Sequence, residues 1–338
     1  MTGSNVTGDI VTGNNVTGDI VTGNNVTATD VTASSVTPDV AVTDPASAVL
    51  TTVSYADVFD MPISLERLHR FLVGAQLSPA EVERVVSELV ASGRLGRRDD
   101  LVHLPGRAEV LAICDDRHAR AETMWDQAET WGARIGRLPF VRMVAVTGGL
   151  AVDSVADHDD IDFFIVVRPG RLWLTRLMVI ALGKIAERSD IELCPNFIVS
   201  DNAIEMQQES IYAARELAQM VVIVDGDACR DVRQRNDWMF DLLPNATLEG
   251  DRSREQPVSV SLPQRVVEAV LLLPIFDRLE RWEMERKIAK LTTVRSRRPE
   301  VGAPDESSFS PDICKGHMVG NAAGIDVAWR ERITAHAS

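Results

Sequence analysis

At 338 residues the chain is long enough for about two domains. Its formal net charge of −15 argues against a general affinity for nucleic acid or anionic membrane. The four cysteines, Cys114, Cys194, Cys229 and Cys314, form no CxxC pair. That excludes zinc-ribbon spacing and points to the thiols of a reducing cytosol. No apolar run approaches the roughly 18 residues of a membrane span, and the N-terminus lacks the basic start and apolar core of a signal peptide. A cytoplasmic protein is expected.

The chain opens with a five-residue repeat, "VTGDIVTGNNVTGDIVTGNN", with Val-Thr recurring from Val6 to Val36. A pentapeptide β-helix has this step, but so few repeats make too few coils to bury a core. Residues 1–47 are therefore expected to be a disordered tail.

Residues 48–107 carry three helical patterns and a hairpin. "SLERLHRFLVG" opens on Ser64 and closes on Gly74. "SPAEVERVVSELVASGRL" has Ser78 as cap, Pro79 at the first helical position and Glu81 three residues after the cap. "LGRRDDLVHLPG" reads as strand, turn and strand. This order is that of a winged helix. Its third helix carries Glu81, Glu83 and Glu88 against Arg84, and Arg97 and Arg98 are offset by Asp99 and Asp100. Phosphates would be repelled from that face, so docking to protein is expected rather than binding to DNA.

Residues 108–245 alternate helix and strand, the pattern of an α/β domain. A long polar helix ends near Arg137. "VRMVAVTGG" and "DIDFFIVV" read as buried strands, "RLWLTRLMVIALGKIAERS" as a helix, "DIELCPNFIVS" as a strand, and "SIYAARELAQMVVIVDG" as a helix running into a strand. Residues 246–338 read as a linker, a helical segment kinked near Pro274, and a C-terminal tail ending in a short helix. Within that tail Cys314, Lys315 and His317 are too few for a metal site, though Lys315 and His317 are placed to reach an acceptor or a triphosphate.

The chemistry concentrates in "TGGLAVDSVADHDDIDFFIVV". Gly148 and Gly149 end a strand, where absent side chains let backbone N–H groups approach phosphate. Ten residues later Asp160 and Asp162 stand i, i+2 at the head of an apolar strand. That spacing turns both carboxylates to one face and Ile161 to the other. Two carboxylates there suit one or two Mg²⁺ ions, which activate an attacking oxygen and neutralise a leaving pyrophosphate. Arg168 and Arg171 follow the strand and are candidates for phosphate contact, with a structural role in the turn as the alternative.

The glycine pair, the ten-residue gap and Asp160-Ile161-Asp162 resemble the polymerase-beta-like nucleotidyltransferase superfamily. Together with "YADVFD" near the N-terminus, "DIDFFIVVRPGRLWLTR" and "LCPNFIVS", the layout is similar to a bacterial group in that superfamily with an N-terminal winged-helix-like segment. The resemblance implies an α/β (α+β) nucleotidyltransferase fold with a mixed sheet and transfer of a nucleoside monophosphate from an NTP to a hydroxyl, with release of pyrophosphate. It also implies a third carboxylate from a neighbouring strand. Glu192 is the candidate, with Asp190 next. The acceptor is a small molecule, a protein side chain or RNA. The rival reading is a non-catalytic nucleotide-binding module that regulates a protein partner or DNA through the winged helix.

Overall fold

The computed structural model describes residues 44–206, 208–225, 227–257, 261–297, 308–316 and 321–336. The repeat and His317 lie outside them. The first helix starts at Pro45, three residues before the position expected from sequence, because the Asp44 carboxylate accepts the Ser47 N–H at 2.9 Å and caps it.

The N-terminal unit holds α1 (Pro45–Asp57), β1 (Ile63–Ser64), α2 (Leu65–Arg70), α3 (Pro79–Ala91), β2 (Gly96–Arg98) and β3 (Leu101–His103). The strands make an antiparallel sheet in the order β1-β3-β2. Ser78 and Glu81 cap α3 reciprocally, as their spacing predicts. Val82, Val85, Val86 and Leu89 close the stripe of α3 on a core shared with Val49, Val53, Leu68 and Leu72. The arginines beside it are engaged. Arg84 pairs with Glu88, Arg97 with Glu83 and Arg98 with Asp115.

The rest is a mixed α/β assembly. In chain order it comprises α4 (Glu109–Gly136), β4 (Val141–Val146), β5 (Ile161–Val167), α5 (Leu172–Ala186), β6 (Leu193–Ser200), α6 (Ile211–Gln219), β7 (Val221–Asp225), α7 (Ala228–Arg235), α8 (Met239–Leu242), α9 (Leu262–Leu271), α10 (Pro274–Arg297), β8 (Ser308–Phe309), β9 (Ile313–Lys315) and α11 (Asn321–His336). Six strands form one sheet in the order β7-β4-β5-β6-β9-β8. Only β5 and β6 run parallel; the other neighbours are antiparallel.

Strand β5 lies at the centre and every one of its residues is buried. Alternation distributes its side chains. Ile161, Phe163, Ile165 and Val167 enter a core with Trp125, Trp131 and Ile135 of α4 and Leu172, Trp173 and Val179 of α5. Phe164 and Val166 enter a second core on the opposite face. That core includes Ile211, Ala214 and Leu217 of α6, Val232 of α7, and Tyr55 and Phe71 of the N-terminal unit. Burial on both faces is why this strand reads as an unbroken apolar run.

The C-terminal part departs from the sequence reading. Instead of a tail, β8 and β9 extend the sheet beside β6, and α11 packs on α1. Trp329 of α11 is fully buried, meets Tyr55 edge-on at 5.8 Å and donates its indole N–H to the Thr51 carbonyl at 2.9 Å. The two strands span only two and three residues, too short to leave a period of 2 in the sequence. The kink expected near Pro274 is a break between α9 and α10 at Leu272 and Leu273.

Truncating Trp329→Ala removes a large buried ring and its hydrogen bond, so urea denaturation should show a loss of about 3–5 kcal/mol. An unchanged midpoint would mean that α11 does not close the second core.

Candidate functional site

The site forms where β4 ends and β5 and β6 begin. Strand alternation carries Asp162 to the face of Phe164, hence toward α6. Parallel pairing sets Cys194 of β6 directly opposite Asp162. The pairing then slips. Asp162 opposes Cys194 but Phe164 opposes Phe197, so β6 spends an extra residue across Pro195 and Asn196. Pro195 has no N–H to give the ladder, which favours a bulge there.

One ligating atom from each of Asp160, Asp162 and Cys194 lies within 4.8 Å of the others. Both aspartates are almost fully buried, and Asp160 Oδ1 has no hydrogen-bond partner. Among the described residues no Lys or Arg forms an ion pair with either carboxylate. Burial pushes the Asp160 carboxyl up to about 6, against a lowering contact from the Cys194 thiol and with Asp159 and Glu192 adding repulsion. Asp162 is raised well above its ordinary value, by burial first and then by the charge of Asp160. The Cys194 thiol reaches both carboxylates, and burial and their negative charge keep it protonated.

The glycines explain how the loop fits. Gly148 has φ +66, and a Cβ there would lie 2.6 Å from Asp162 Oδ2. A side chain at Gly149 would strike the Ser154 carbonyl at 2.5 Å. Both positions therefore exclude any larger residue. Arginines pin the rest of the loop from outside. Arg67 of α2 binds the Val152 carbonyl and the Asp153 carboxylate. Trp125 of α4 donates to Asp153 at 2.7 Å. Arg120 holds the Val155 carbonyl at 3.2 Å and the Asp157 carboxylate at 2.9 Å. Asp159 turns inward and accepts the Ala156 N–H at 2.7 Å. Asp157 and Asp159 thus shape the loop.

The expected third carboxylate is placed differently. Glu192 precedes β6 and is exposed at the mouth of the site. Its carbonyl accepts the Ile161 N–H at 2.9 Å, and its charge reaches Asp160. Cys194 takes the inner position instead. Asp190 has φ 56 in the turn after α5. The sequence reading missed Glu216 of α6, whose charge bears on Asp162. Burial raises the Glu216 carboxyl to about 7, while the Gly148 backbone N–H and Arg215 draw it down. No local signal marks it, since Glu216 lies outside the buried stripe of Ile211, Ala214, Arg215 and Ala218. Lys315 of β9 acts on Glu216 by its charge.

Arg168 and Arg171 do not reach the site. They follow the C-terminal end of β5, and six residues of strand from Asp162 to Arg168 span about 20 Å. Arg171 bonds Asp277 of α10 at 2.7 Å and the Gly170 carbonyl, which makes it a structural tie between α5 and α10.

Compared with family models, curated proteins and solved structures, the chain matches none. The geometry of the site carries the functional reading.

Two outcomes follow. Gly148→Ala puts a Cβ against Asp162 and imposes left-handed backbone on an L-residue, at about 1–2 kcal/mol for the backbone alone. Lower stability in urea and weaker binding of divalent cations, read by calorimetry, are expected; wild-type behaviour in both would disprove the crowding. The second concerns pH. Asp160 and Glu216 hold protons in the folded state where the unfolded chain has released them. Their contribution is complete below the ordinary values of 3.8 and 4.5 and is lost as pH rises through about 6 and about 7. Without divalent cation, the stability of Asp160→Asn relative to wild type should therefore rise from about pH 4 to about pH 6 and level off above that. A difference independent of pH would contradict a raised carboxyl.

Proposed function

We propose that the chain is a Mg²⁺-dependent nucleotidyltransferase that moves a nucleoside monophosphate from an NTP to a hydroxyl acceptor and releases pyrophosphate. The observation that carries the reading is the space beside the Asp162 carboxylate that a side chain at Gly148 would fill, with the buried, partnerless Asp160 Oδ1 close by. A buried carboxylate oxygen with no partner is costly unless a cation arrives. The paired oxygens of Asp160 and Asp162 fit a hard divalent ion. When bound, that ion neutralises charge on the triphosphate and on the leaving pyrophosphate.

The chain's own residues do the rest. Asp160 and Asp162 hold the metal, one ion or two. Gly148 and Gly149 keep side-chain volume out of the space beside Asp162, where the triphosphate lies. Glu216 fixes the Gly148 N–H and so the pose of the turn. Glu192, open to solvent beside Asp160, is where an acceptor arrives, and its carboxylate takes the hydroxyl proton. The mixed sheet is read as a nucleotidyltransferase fold and the N-terminal unit as a winged helix. The ion pairs of Arg97 and Arg98 and the acidic face of α3 favour a protein partner for that unit over DNA. Among the described residues no helix is long and apolar enough to cross a membrane. A cytoplasmic setting goes with this reading.

One observation favours a second reading. A thiol, not a carboxylate, sits opposite Asp162. A module that binds nucleotide without transferring it would tolerate that exchange.

The test is incubation with Mg²⁺ and each α-³²P-labelled NTP, with and without cell extract as acceptor. Label transfer by wild type that is absent from the Asp160→Asn, Asp162→Asn double variant is expected. Metal-dependent NTP binding without transfer would instead select the regulatory module. Glu192→Gln should lower the transfer rate by about 10²–10⁴ while leaving NTP binding intact, the range for loss of a general base. Unchanged transfer would remove Glu192 from the mechanism.

A further inference from the structure

We propose that Asp160, Asp162 and Cys194 form one three-ligand site for a thiophilic divalent transition-metal ion, with the sulfur of Cys194 as the third ligand. The proposal rests on the reading of the two aspartates as metal ligands and is independent of nucleotidyl transfer.

Three observations meet here. The ligating atoms gather within 4.8 Å, close enough for one ion to touch all three. Asp160 is about nine-tenths buried, and its Oδ1 lacks any partner. The place of Cys194 is set by backbone, since register locks it opposite Asp162 and the bulge at Pro195 follows at once. The other three thiols lie outside this cluster, Cys114 on α4 among them. Cys314 lies in the first core, and Cys229 packs against Arg233 and the Glu249 carbonyl.

The donor set chooses the ion. Mg²⁺ takes oxygen and keeps several waters, so a sulfur in its shell contributes nothing. Zinc, cobalt and cadmium bind thiolate well and accept carboxylate beside it, and three protein ligands leave a position open for substrate or water. On binding, the ion replaces the thiol proton, which leaves to solvent. Any proton held by the two aspartates leaves in the same way, and the three ligand charges then hold the ion. Glu192 and Glu216 add negative charge around it.

Metal-free protein would be titrated with Cd²⁺, Co²⁺ and Mg²⁺, and sulfur-to-metal charge-transfer absorption recorded. One equivalent of Cd²⁺ or Co²⁺ should produce the band in wild type. The band should vanish in Cys194→Ser and in the Asp160→Asn, Asp162→Asn double variant. Cadmium affinity should fall in Cys194→Ser by at least the roughly 10–100-fold that second-shell partners cost, with Mg²⁺ affinity nearly unchanged. The wild-type titration is a readout that needs no variant to fold: Cd²⁺ or Co²⁺ should give the band and Mg²⁺ should not. Absence of the band in wild type, a band that persists in Cys194→Ser, or a band that survives loss of both aspartates would each overturn the proposal. Intact Mg²⁺ binding and label transfer alongside any of these would leave the transferase reading standing. Loss of Mg²⁺ binding and of transfer, with the sulfur band present, would overturn that reading alone.

Discussion

Two carboxylates placed in the interior without a basic partner among the described residues dominate this molecule. Strand β5 is buried on both faces, so whatever side chain stands at its head is buried with it. Asp160 and Asp162 stand there. Burial raises both carboxyls, and the charge of Asp160 adds to the rise at Asp162. A fold that keeps such a pair needs a counter-charge, a proton or a cation. The Cys194 thiol supplies a weak donor in the metal-free state and the solvent supplies protons as pH falls. Neither equals a bound ion, because a charge-assisted contact is the stronger kind.

The surrounding architecture serves to hold this pair in place. The loop from Gly148 to Asp159 is long enough to wander, yet Arg67, Arg120 and Trp125 fix its carbonyls and carboxylates from two different helices. One of those helices, α2, belongs to the N-terminal unit. Tyr55 and Phe71 of the same unit enter the second core of the sheet. The N-terminal helices are therefore part of the frame of the site, and a change in how they pack reaches the loop through the Arg67–Asp153 contact.

Much of this was legible from the residues, and the exceptions have physical causes. Period-2 alternation and the absence of side chains at Gly148 and Gly149 locate the site because both are local signals. The boundaries of α3 follow from its reciprocal cap. Third members of a site come from other elements, and there local rules lose force. Alternation put Glu192 and Cys194 on one face, but β6 starts at Leu193, so Glu192 stays in solvent and Cys194 enters. Glu216 sits far along the chain and is brought in by α6. Arg168 and Arg171 are near Asp162 in sequence, but a strand is extended, so nearness along it means distance in space. Strands β8 and β9 are too brief to show a period at all and are recognised only by their partner, β6.

That late partner has a consequence for biogenesis. Strand β6 ends at Ser200, and the segment that covers its outer edge is Ile313–Lys315. At the usual pace of translation the intervening chain takes on the order of ten seconds to emerge. Throughout that interval the nascent sheet presents an unpaired row of N–H and C=O groups beside the carboxylate pair. Such an edge recruits strands from neighbouring nascent chains. A ribosome that stalls before Ile313 leaves a product with its edge open, suited to capture by chaperones and to co-aggregation on polysomes. Completion of the sheet is thus timed by a part of the message read long after β6.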